Sequence, residues 1–149
     1  MLSLLFSKNN KLMRLYILLA LLIISKGTLA KTVQIEFTEN DSYSIEVAYI
    51  DVGDTIEWLP KNKGHNVEFL AGPDMDSLPN NSKINEFHSI LFNTPGVYLY
   101  GCSPHLNMGM LGLIVVDNDF HNLEDVNKVE LSYVANSVVD RLIKIAKPN

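Results

Sequence analysis

The 149-residue sequence predicts an all-β sandwich or barrel of seven to eight short strands, followed by two short helices. Three observations carry this reading. Apolar residues alternate with polar ones from residue 32 onward, turn residues interrupt the runs at short intervals, and the period lengthens to that of a helix after residue 116.

The first 30 residues stand apart from that pattern. Lys8, Lys11 and Arg14 precede an apolar run at 15–24, and Thr28 and Ala30 offer small side chains three and one positions before a cut ahead of Lys31. A basic head, an apolar centre and a small-residue exit describe a secretory signal peptide at 1–30. Ten apolar residues are short for a membrane-spanning helix, which needs about 20. No cysteine follows the run to carry a lipid, so no membrane attachment is expected after cleavage. The leader holds four basic residues and no acid, so its removal takes the net charge from −5 to −9 over the remaining 119 residues. Such a chain repels phosphate backbones, which argues against nucleic acid as a partner.

Residues 31–149 read as one domain, a sandwich at about 31–117 and a helical part at about 121–147. Val33, Ile35 and Phe37 alternate with polar residues, as do Ile45, Val47 and Tyr49, and then Ile56 and Trp58. A period of two gives a strand one buried face and one wet face. Turns are signalled at 52–54 and 94–96, and further strands at 66–70, 87–92, 97–100 and 111–116. The stretch 71–84, with Gly72, Pro73 and Pro79, reads as a long connection. Asn122 is placed to cap a short helix backed by Leu123 and Val126. A second helix starts near Ser132, with Val134, Val138, Leu142 and Ile145 on one face and Asp140 paired with Lys144 on the other.

Cys102 is the sole cysteine, so no disulfide forms within the chain. Its neighbours are more telling: Cys102-Ser-Pro-His105-Leu-Asn-Met108-Gly-Met110 sets a thiol, an imidazole and a thioether in one short stretch. Sulfur ligands suit Cu(I), while imidazole tolerates both copper states. A second imidazole comes from His65, in a loop between strands. The expected metal ligands are therefore His65, Cys102, His105 and Met110. Cys102 follows the strand at 97–100 and Met110 precedes the last one, which brings both to one end of the sandwich. His88 and His121 read as ordinary structural or surface histidines, and Met13, Met75 and Met108 carry no ligand argument.

The Cys-Ser-Pro-His stretch with a methionine five beyond the histidine resembles the copper loop of plastocyanins and pseudoazurins. Lys63-Gly-His-Asn-Val-Glu68, Ser82-Lys-Ile-Asn-Glu86, Pro95-Gly-Val-Tyr98 and Asn107-Met-Gly-Met110 resemble pseudoazurin in particular, as do the two terminal helices. The resemblance covers essentially the whole of residues 31–149. It implies a Greek-key cupredoxin sandwich with one type 1 copper per chain. His65, Cys102 and His105 would bind it, Met110 rather than Met108 would be the weak axial ligand, and Asn66 would tie the His65 loop to the Cys102 loop. It further implies a monomeric periplasmic one-electron carrier, not an enzyme. The electron would leave through His105, framed by Pro104, Leu106, Met108 and Gly109.

Its partners would be a copper nitrite reductase or a c-type cytochrome. Two departures weigh on the nitrite reductase. The chain is acidic, and Gly101 stands where a lysine is often found, although Lys61, Lys63 and Lys83 remain. A closed set of four protein ligands leaves no position for substrate, which sets the sequence apart from a copper enzyme. The alternative reading is a periplasmic copper-trafficking or storage protein, which would use similar soft ligands.

Overall fold

The computed structural model describes residues 29–147, so nearly all of the expected signal peptide lies outside the described residues. Among the described residues no helix is long and apolar enough to cross a membrane.

Seven strands form two sheets. β1 (Thr32–Glu36), β3 (Thr55–Leu59) and β5 (His88–Leu91) make one, in the order β1-β3-β5, with β1 and β3 parallel. β2 (Val47–Ile50), β4 (Glu68–Ala71), β6 (Gly96–Gly101) and β7 (Leu111–Val116) make the other, in the order β2-β7-β6-β4, with β2 parallel to β7. Helices α1 (Leu123–Asn127) and α2 (Tyr133–Ala146) follow β7.

In the three-stranded sheet the alternation read from the sequence is realised: Ile35, Ile56 and Trp58 are fully buried, while Gln34 and Glu36 face outward. These residues meet Phe69, Tyr100, Ile114 and Val116 of the opposite sheet in the core between the layers. β6 and β7 instead bury all their residues, because the helices cover their outer face. Val97, Leu99, Leu113 and Val115 pack there against Val126, Ala135, Val139 and Leu142.

That second cover corrects three details. In β2, Ala48 and Ile50 point between the sheets, and Val47 and Tyr49 lie on the helix side, the reverse of the simple alternation. The Tyr49 hydroxyl donates to the Ala146 carbonyl at 2.9 Å, satisfying one of the carbonyls that the helix end leaves without a partner. In α2 the buried stripe is Ala135, Val139, Leu142 and Ala146, while Val134 and Ile145 are half exposed. Small alanines let the helix lie close to the sheet, and this rotates the contact face by one position. Asp140 and Lys144 form no ion pair. The exposed face is held instead by Arg141, which grips Glu46 through two 2.8 Å bonds. The hydrogen bonds from Arg141 hold the Glu46 carboxyl below its ordinary pKa.

Asn122 stands at the start of α1 as expected, but its side chain does not cap the helix. It is buried and pairs with the Val97 backbone, accepting from the N–H and donating to the carbonyl, both at 2.8 Å. The side chain thus fastens α1 to the start of β6.

At the entry to β3, Asp54 is 3% exposed and accepts from the backbone N–H groups of Lys31 (2.8 Å) and Asp51 (2.9 Å). The Lys31 ammonium lies 3.4 Å away. Burial alone would raise the Asp54 pKa, but these N–H groups and the ammonium outweigh it and hold it below 3.8. The unfolded chain therefore takes up this proton first on acidification, so the stabilisation is present above about pH 4 and is lost as pH falls through the folded value. Asp54→Ala is expected to lower unfolding free energy by about 1.5–3 kcal/mol at neutral pH, the range for hydrogen bonds to a charged group. In urea unfolding the gap between wild type and variant should narrow as pH falls below about 4.

Candidate metal centre

Two loops meet at one end of the sandwich. The first, between β3 and β4, carries His65, and its conformation is fixed from the 82–86 segment. The Gly64 N–H donates to the Asn85 side-chain oxygen at 2.6 Å, and the Asn85 N–H donates to the His65 carbonyl at 2.8 Å. The second, between β6 and β7, begins at Cys102 and runs through a 3-10 helix, Ser103–Met108. It closes on Gly109 at φ 91, a left-handed cap that favours glycine. The Cys102 N–H donates to the Met110 carbonyl at 3.0 Å, so the loop returns to the sheet beside the cysteine.

Asn66 joins the two loops, as expected from the sequence. Its side-chain oxygen accepts from the Ser103 N–H at 2.8 Å, and its amide donates to the Ser103 hydroxyl at 2.9 Å. That hydroxyl donates to Glu68 at 2.6 Å, and the Tyr43 hydroxyl holds the Asn66 carbonyl at 2.9 Å. Each polar group at this seam has a partner, which is what makes its burial tolerable.

The seam brings three of the sequence-chosen residues together. Cys102 Sγ lies 3.7 Å from His65 Nδ1 and 3.6 Å from His105 Nδ1, and the two nitrogens are 3.1 Å apart. Cys102 is wholly buried, His65 is 2% exposed, and the His105 side chain reaches 22%. A point equidistant from the three atoms lies about 2 Å from each, close to the 2.0–2.3 Å of metal–imidazole and metal–thiolate bonds. Two imidazoles and one thiolate are the donor set that suits copper in both its states. The cluster fits a single type 1 copper site.

Electrostatics point the same way. Burial pushes the His65 pKa down, aided by the neighbouring His105 and opposed by Asp41. Burial pushes the Cys102 thiol up, against hydrogen bonds from the Asn66 and His105 backbone; Asp41 and Glu68 add to the rise. The pocket therefore disfavours an imidazolium on His65 and a lone thiolate on Cys102. A cation at the centre relieves the second and takes up the nitrogen lone pairs.

Met110 is 1% exposed and shares the buried cluster of Cys102, whereas Met108 is 60% exposed and turned to solvent. His88 and His121 take no part: the first bonds to the Asn80 carbonyl at 2.7 Å, the second pairs with Asp119 at 3.0 Å. One contributor escaped the sequence reading. Asp41 places a carboxylate oxygen 3.6 Å from His65 Nε2 and 3.8 Å from His105 Nδ1. No periodicity or ligand spacing marks an acid in a turn 24 residues before the histidine it approaches.

The sequence of residues 30–117 matches the family described as copper binding proteins, plastocyanin/azurin family. The chain belongs to this family. Within it the chain is closely related to known pseudoazurins. It is 41% identical over 91 residues to a putative pseudoazurin of Rhizobium leguminosarum bv. viciae, covering 60% of this chain and 58% of that protein. It is 35% identical over 91 residues to a pseudoazurin of Methylorubrum extorquens, covering 60% of this chain and 62% of that protein. These stretches thus span about three-fifths of both relatives. The solved structure of a Sinorhizobium pseudoazurin superposes with a TM-score of 0.73 at 28% identity, over 79% of this chain and 98% of that one. The architecture is the Greek-key cupredoxin fold expected from the sequence, with seven strands in two sheets and two C-terminal helices.

Gly101, the departure noted in the sequence, has a packing cause. A Cβ there would lie 2.7 Å from Leu106 Cδ1, 2.9 Å from Leu111 Cδ2 and 3.2 Å from the Met110 carbonyl oxygen. Leu106 is thus an inward anchor of this cupredoxin's metal loop, seated over residue 101. Gly101→Ala is expected to cost about 1–3 kcal/mol by overpacking, measured as thermal unfolding of the metal-free chain. Gly101→Lys should cost more.

Proposed function

We propose that the chain is an exported periplasmic carrier of single electrons. One type 1 copper would be held by His65, Cys102 and His105, with Met110 as a fourth, weaker ligand. The observation that carries this reading is the buried triangle of Cys102 Sγ, His65 Nδ1 and His105 Nδ1, with its three sides between 3.1 and 3.7 Å. Bound copper supplies the one-electron couple between Cu(I) and Cu(II). Everything else is the work of the chain. The hydrogen bonds of Asn66 and the β6–β7 ladder hold the donors in place, so little rearrangement accompanies a change of charge. Burial of Cys102, His65 and Met110 keeps solvent and substrate from the centre, which supports electron transfer rather than catalysis. The buried position of Met110 supports its assignment over the exposed Met108.

His105 is the partly exposed member of the cluster and the natural exit. Pro104 and Met108 stand exposed beside it, a small apolar area suited to brief redox encounters. The partner is a redox protein, a c-type cytochrome or a copper nitrite reductase. The charge around the exit favours the cytochrome. Lys61 and Lys83 each lie within 4.0 Å of a glutamate (Glu36 and Glu86), which leaves Lys63 of the three expected lysines; Gly101 supplies no charge, and Asp41 stands beside His105. A strong basic ring is missing from this set.

The copper-loaded chain is expected to show one intense blue absorption band and one copper per chain. Cys102→Ser should abolish the band. Colourless, readily lost copper would identify a trafficking or storage protein instead, and two coppers per chain would revive a catalytic role. The rate of electron exchange with a basic c-type cytochrome should fall as ionic strength rises. A rise would assign docking to an acidic partner.

A further inference from the structure

The turn at 38–42 projects over the cluster, and its shape is firmly set. The Thr38 N–H donates to the Ser42 carbonyl at 2.9 Å, the hydroxyls of Thr38 and Ser42 meet at 2.7 Å, and Phe37 pairs with Tyr43 across the turn. The Phe37 ring packs edge-on against His65 with ring centroids 5.9 Å apart. Asp41 sits at the tip with φ 51, a left-handed conformation that aspartate and asparagine tolerate best after glycine. From there one carboxylate oxygen lies 3.6 Å from His65 Nε2 and 3.8 Å from His105 Nδ1. Among the described residues no lysine or arginine pairs with it.

A histidine that binds metal through Nδ1 carries its proton on Nε2, and an acceptor on that side fixes tautomer and ring orientation. At 3.6 Å the Asp41 carboxylate stands on that side of His65 but outside direct hydrogen-bond reach, so what it brings is its negative charge. That charge lies within 4 Å of nitrogens on two ligands and favours the more positive of two metal states. We propose that Asp41 is the outer carboxylate of the copper site, a fixed negative charge on the Nε2 side of His65 that biases the site toward Cu(II). The proposal rests on the copper reading above. Asp41 acts electrostatically, through the two histidines it faces.

The decisive comparison is between wild type, Asp41→Asn and Glu39→Gln, each copper-loaded and measured by spectroelectrochemistry. Asparagine keeps the size and the left-handed preference, so the turn survives, as thermal unfolding of the metal-free variant checks. Glu39 is exposed in the same turn and controls for loss of one charge at large. Asp41→Asn is expected to shift the Cu(II)-to-Cu(I) affinity ratio about tenfold toward Cu(I), a rise of about 59 mV for one electron. Glu39→Gln should shift it less than about threefold, its charge being farther away and screened. With redox-silent Zn(II) as probe, Asp41→Asn should bind about tenfold more weakly. The proposal is overturned if Asp41→Asn leaves the potential where it was, or if Glu39→Gln matches its shift. Loss of the blue band in Asp41→Asn would also overturn it, since Asp41 would then be a ligand itself. A wild-type chain that shows no blue band refutes the copper reading instead, so the two failures are told apart.

Discussion

Three donor atoms held within 3.7 Å of one another, in a place too dry for charge to settle easily, are the constraint on which this molecule turns. Left to themselves, a thiol and two imidazoles would each seek water or a hydrogen-bond partner. Here they face one point. The cost of that arrangement is met by the seam between the loops, where Asn66 occupies both the Ser103 N–H and its hydroxyl, and Tyr43 secures the Asn66 carbonyl. A pre-formed triangle of this kind also means that metal entry requires little movement of the chain, and a change of metal charge little more.

The sandwich contributes rigidity, and the terminal helices extend it to the loop itself. The Ser132 hydroxyl, which also caps α2, donates to the Asn107 carbonyl at 2.9 Å. Val138 leaves no room for a side chain at Gly109, since a Cβ there would lie 2.8 Å from its Cγ2. The same helix is pinned to β2 by Arg141 and by the Tyr49 hydroxyl. The metal loop is thus clamped between a helix behind it and the His65 loop in front. This gives a physical reason for a chain of this family to keep helices after a sandwich that is already closed.

Charge is distributed less simply than the net acidity suggests. Glu68 enters the seam through Ser103, and Asp41 stands over the two histidines, so two of the acids lie close to the site itself. Both push the Cys102 thiol upward, after burial and against the backbone hydrogen bonds. Two of the three lysines noted in the sequence, Lys61 and Lys83, are balanced by glutamates. The electrostatic character of this end of the molecule is set by placed carboxylates as much as by the surface at large.

The sandwich, the two helices and the short stretch that carries Cys102, His105 and Met110 were legible in the order of residues, because each is written in local periods and spacings. That order also singled out His65, through soft-ligand chemistry that needs a second imidazole. Tertiary structure alone decided which face of α2 is buried, since Ala135 and Ala146 win their contact by size and closeness to the sheet, which no helical period encodes. It decided that Asn122 serves β6 rather than its own helix, and that Tyr49 bonds to a carbonyl 97 residues away. Asp41 belongs with these. Its approach to His65 joins parts of the chain that have no local relation, and only the closing of the hairpin over the sandwich end brings them within 4 Å.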